Sequence, residues 1–158
     1  MTDSEVWRSL VLSRVADDPD DPILYATTPS AIRLPRDLTD RAARASYGGY
    51  AWRREDLPEA FRAIAEAGGI IRGGDLWVIQ HGLIYSVLPS PVPEGWPGVW
   101  GWTTQPRGAG ESIEGFRNRS VKEGMEAING VEVELFIRSD LLSDLWFSVI
   151  YATADRYP

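Results

Sequence analysis

The residues that could do chemistry are few. His81 is the only histidine, and the chain has no cysteine. A Ser–His–Asp hydrolase would need His81 as its base, but no Gly-x-Ser-x-Gly turn accompanies it. A zinc site would need further nitrogen or sulfur ligands, and none exist. His81 therefore reads as the end of a strand. Among the acids, Asp75 is the best placed for catalysis. It follows Gly73-Gly74 and precedes Leu76-Trp77, an apolar setting of the kind that raises a carboxyl pKa. Glu132 and Glu134 fall on the solvent side of an expected strand. One acid is not a mechanism, so no enzymatic activity, metal or cofactor is expected.

Gly73-Gly74-Asp75 lacks the GxxxxGK[ST] and GxGxxG spacings of phosphate loops. It reads instead as a bulge or tight turn, with Gly supplying a positive φ and Asp capping a backbone N–H, or with Gly74 letting another element pass closely. A different chemistry lies in Gly95-Trp96-Pro97-Gly98-Val99-Trp100-Gly101-Trp102, which holds three Trp in eight residues. Tryptophan is costly to expose and common at binding hot spots. The stretch is either a platform for a protein, a sugar or another small molecule, or a loop pinned to the core by its indoles.

Composition narrows the class. The 158 residues suit one domain, and an apolar fraction of 44% with seven Trp can fill a core. Lys and Arg total 16 against 23 Asp and Glu, for a net charge of −7. That balance argues against nucleic acid, whose phosphates demand clustered cations. It permits a basic protein partner, and it equally suits ordinary solubility. The first residues, Met1-Thr2-Asp3-Ser4-Glu5, are acidic where an export signal would be basic. No apolar run approaches the roughly 18 residues of a membrane span. A cytoplasmic protein is expected. Arg dominance over the single Lys122, with abundant Ala, Gly and Pro, suggests a GC-rich bacterial source.

Elements must position these residues. Val6 to Val15 is apolar and β-branched enough for a strand, and Ile23 to Ala26 suits a second, short one. Between them Asp17, Asp18, Asp20 and Asp21, interleaved with Pro19 and Pro22, form an exposed acidic loop. Asp37 or Thr39 can cap a short helix ending at Gly48-Gly49. Leu57, Ala60, Phe61 and Ile64 recur at helical spacing and predict a helix over Glu55 to Ala67, closed by Gly68-Gly69. Ile70-Ile71 and Leu76 to Val87 read as strands interrupted by Gly73-Gly74. Residues 89 to 110 are a Pro- and Gly-rich loop, touching a short strand near Trp100 to Thr104. Ser112 to Asn129 predicts the second helix. Ile113, Phe116, Ser120, Val121, Gly124, Ala127 and Ile128 share its broad inner face, and the small Ser120 and Gly124 allow close approach to a sheet. Val131, Val133, Leu135 and Ile137 alternate with polar residues, as do Leu145, Phe147, Val149 and Tyr151, which predicts an antiparallel hairpin. The expected fold is α+β: a single domain with two main helices on a largely antiparallel sheet.

Several of these residues together resemble a family. Trp52, the Glu55 to Ala67 helix and the run Gly69-Ile70-Ile71-Arg72-Gly73-Gly74-Asp75-Leu76-Trp77 are similar to the core of the immunity protein 40 family. There a Trp precedes a helix and a Gly-Gly-Asp strand follows, with Arg72 standing where the family carries an aliphatic residue. A Trp-bearing loop (Trp96, Trp100, Trp102), a helix with a Ser and a downstream aliphatic (Ser120, Ile128) and an aromatic closing strand continue the likeness over about residues 50 to 151. The resemblance implies a small, non-enzymatic bacterial protein of the cytoplasm that neutralises a polymorphic toxin by binding it. On that implication Trp96, Trp100 and Trp102 would be anchors, with Asp17, Asp18, Asp20 and Asp21 on the rim. Trp52, Gly73, Gly74, Asp75 and Ser120 would be structural. A small-molecule or sugar-binding module using the Trp loop is the alternative.

Overall fold

The computed structural model describes residues 10–12, 32–44, 49–81, 83–87, 101–133, 137 and 139–153. The fold is α+β, with helices packed on an antiparallel sheet, as the two helical periodicities imply. Strand β1 (Leu10–Leu12) is followed by α1 (Arg36–Asp40), β2 (Ala43–Arg44) and β3 (Tyr50–Trp52). A 3-10 turn at Arg54–Asp56 leads into α2 (Leu57–Glu66), then β4 (Gly69–Gln80), β5 (Leu83–Val87) and β6 (Gly101–Thr103). Helix α3 (Ile113–Gly130), a 3-10 segment (Ser139–Asp144) and β7 (Leu145–Thr153) complete the order. Among the described residues no helix is long and apolar enough to cross a membrane.

The sheet order is β1-β5-β4-β7-β3-β2, and every pairing is antiparallel. β4 is its longest strand. β7 runs along one edge of β4, while β5 and β6 share the other edge in succession. The predicted break at Gly73-Gly74 does not occur. β4 is continuous, and its irregularity is a register shift between Ile71 and Gly73, which places Arg72 as the extra residue of a bulge.

α2 and α3 lie on the same face of the sheet. Their apolar stripes, Leu57, Phe61 and Ile64 from α2 and Ile128 from α3, meet Ile71, Leu76 and Val78 of β4 and Phe147 and Val149 of β7. Each such fully buried side chain contributes about 1.5–3 kcal/mol relative to exposure. α2 begins with Pro58 in its first turn, where no intrahelical N–H is lost. Gly68 at φ 89° then turns the chain into β4. α3 begins at Ser112, whose hydroxyl accepts the N–H of Gly115 at 3.0 Å. At its other end Arg54 donates to the carbonyls of Ile128 at 2.5 Å and Val131 at 3.3 Å, a cation at the negative end of the helix dipole. The opposite face of the sheet has its own apolar cluster, in which buried Trp77 and Ala51 are joined by Ile79, Ile84 and Trp146.

Two predicted elements need correction. The helix expected from Asp37 or Thr39 starts earlier, after Pro35, whose ring presets φ for entry, and ends at Asp40. The Val131 to Ile137 strand is absent among the described residues, so the predicted hairpin is wrong. β7 pairs with β4 and β3 instead. Val131, Val133 and Ile137 are buried, and the N–H of Ile137 bonds the carbonyl of Val133, four residues back, at 3.0 Å. Their alternation thus reflects burial beside the helices rather than a place in the sheet.

Candidate functional site

The Gly-Gly-Asp strand sits where β4 meets β6, β7 and α3. Neither Gly73 nor Gly74 has a positive φ; among the described glycines that conformation belongs to Gly68 and Gly110. The need for glycine is steric. A β-carbon on Gly73 would collide with the backbone carbonyl of Trp102, and one on Gly74 with that of Ser148. The space above Gly74 is taken by the Trp102 indole, whose Nε1 would lie 3.2 Å from such a carbon. The far edge of the same indole reaches α3, where a β-carbon on Gly124 would be 3.1 Å from Cη2. Trp102 also packs edge-on against Phe61 of α2, with ring centroids 6.0 Å apart at 70°. One indole therefore ties β4, β6, α2 and α3 together.

Ser120 lies one helical turn before Gly124 on the same inner face and is fully buried. Its Oγ accepts the N–H of Ile71 at 3.1 Å and donates to the carbonyl of Arg117 at 2.7 Å. The i−4 carbonyl of Phe116, the usual acceptor for a mid-helix Ser, is not the one it uses. Thr104 continues the stitching, its N–H bonding the Arg72 carbonyl at 2.8 Å and its hydroxyl the Ile71 carbonyl at 2.9 Å. Trp52 is fully buried on β3 and donates its Nε1–H to the Leu38 carbonyl of α1 at 2.9 Å.

Asp75 does not cap a turn. It faces buried Ser148 of β7, whose Oγ accepts the Asp75 N–H at 3.0 Å and donates to the Asp75 carboxylate. His81 stands exposed at the β4–β5 turn with φ 53°. Six residues of extended strand separate it from Asp75 by roughly 20 Å. The two titratable groups singled out in the sequence thus share no cleft. Among the described residues no three His, Cys, Asp or Glu side chains converge as metal ligands. Asp17, Asp18, Asp20, Asp21, Trp96 and Trp100 lie outside the described residues. Of the three candidate anchors only Trp102 is placed, half-buried with its indole turned into the core.

Sequence reasoning missed two features. The loop after β6 is locked by Arg119, which forks onto Glu111 at 2.7 and 2.8 Å. The same guanidinium bonds Glu123 at 2.9 Å and the carbonyls of Gln105 and Pro106 at 3.3 and 3.0 Å. The Arg119 hydrogen bond, helped by the N–H of Gly108, lowers the Glu111 pKa to about 2. The only sequence signal was the helical spacing of Arg119 and Glu123.

The second is an open groove of about 520 Å³ between α2 and α3 on the side away from the sheet. α2 lines it from Pro58 to Glu66, with Arg62 and Ala65 between. α3 lines it from Glu114 to Met125, with Arg117 and Val121 between. The half-buried Val121, Met125 and Ala65 form its floor, and the exposed Arg62, Glu66 and Glu114 its rim. The Nε of Arg117 is buried and has no hydrogen-bond partner. Arg62 makes no ion pair among the described residues. Val121, read from the sequence as part of the inner face, and Met125 lie at the margin of that face, packed on the core from one side and lining the groove from the other.

Comparison with family models, with curated proteins and with solved structures returned no match.

Proposed function

We propose that the chain is an immunity protein, one that binds a cognate bacterial toxin domain and occludes its active site in the cytoplasm. The observation that carries this reading is the convergence of the residues that resemble the immunity protein 40 family. Gly73 and Gly74 admit Trp102 and Ser148, Ser120 holds Ile71, and all of them lie in one interlocked junction of sheet and helices. A likeness gathered at a fold-determining junction carries more weight than the same matches scattered over a surface. The net charge of −7 is compatible with a basic toxin, since opposite fields speed encounter. Trp96 and Trp100 remain proposed anchors, and Asp17, Asp18, Asp20 and Asp21 proposed rim residues. Trp102 supports the junction instead. The small-molecule or sugar-binding alternative gains nothing here, because the Trp102 indole packs against Phe61.

The test is co-expression with the toxin domain encoded beside this gene, scored by cell survival and by complex formation. Rescue with a complex of measurable affinity is expected, with an association rate that falls as salt rises. Death despite expression of this protein, with no complex, overturns the reading.

A further inference from the structure

We draw no further inference here: the strongest candidate, the open groove between α2 and α3, is lined by charges that cancel, Arg62 and Arg117 against Glu66 and Glu114, and nothing in the structure shows what occupies it.

Discussion

The hydroxyl of Ser120 accepts the backbone N–H of Ile71 at 3.1 Å, so a side chain of α3 satisfies β4 at the residue before its bulge. A bulge displaces a strand from its ladder, and an N–H buried there needs another acceptor. Ser120 supplies one while remaining small enough for the helix to lie close. Ser120→Ala keeps the size and removes the acceptor, leaving that donor unsatisfied. The expected cost is about 1–3 kcal/mol in urea denaturation. A change below about 0.5 kcal/mol would mean that the bond contributes nothing net.

Gly74 and Gly68 should respond differently to the same substitution. Gly74→Ala drives a methyl into the Ser148 carbonyl of the neighbouring strand, and backbone cannot step aside as a side chain can. Gly68→Ala meets nothing within 4 Å and suffers only from its φ of 89°. We expect about 3 kcal/mol for Gly74→Ala and about 1 kcal/mol for Gly68→Ala. The order matters more than either value, and a reversal in chemical denaturation would refute the close-approach account.

Trp102 should behave as a core residue. Trp102→Ala empties the space between Gly74 and Gly124 and should cost about 3–5 kcal/mol. Trp102→Phe keeps much of the packing and removes an Nε1–H that is buried without a partner, so its cost should be less than half as large. Equal losses for the two variants, measured by thermal unfolding, would show that only the full bicyclic shape fills this space and that a single ring recovers none of the packing.

The Glu111–Arg119 fork predicts a pH dependence. Its folded pKa of about 2 lies below the ordinary value of 4.5, chiefly because Arg119 bonds the ionised form. A depressed carboxyl pKa gives stability that is fully present above pH 4.5 and is lost as pH falls toward 2. The Tm advantage of the wild type over Glu111→Gln should therefore be largest near pH 6 and shrink steadily below pH 4.5. It should also diminish at high salt, because the pair is partly solvent-exposed. A difference that stays constant across that range would assign the effect to packing.

Much of the helical layer was legible in advance. The stripe Phe116, Ser120, Gly124 and Ile128 has a periodicity that only a helix uses, and the N-cap at Ser112 belongs to the same local code. The last strand was legible too, because Leu145, Phe147, Val149 and Tyr151 alternate over β7. Its partner was not. Alternation reports which face a residue takes, and says nothing of the strand beside it. Nearness in sequence suggested Val131 to Ile137, whereas the sheet places β7 between β4 and β3. Of the proposed contact residues only Trp102 is placed, and it points inward.

From its residue order alone this chain determined what depends on neighbours a few positions apart: two amphipathic helices, their ends, the alternating strands and an acidic balance of charge. Tertiary structure decided why glycine stands at 73 and 74. A pair of glycines permits positive φ and close approach equally, and the choice is made by the Trp102 and Ser148 carbonyls, contributed by strands far along the chain. It also decided that Ser120 serves Ile71 and that α2 and α3 leave a groove between them. Local rules act through backbone geometry over one or two turns. Steric fit and hydrogen-bond satisfaction between distant segments exist only once the whole chain has packed.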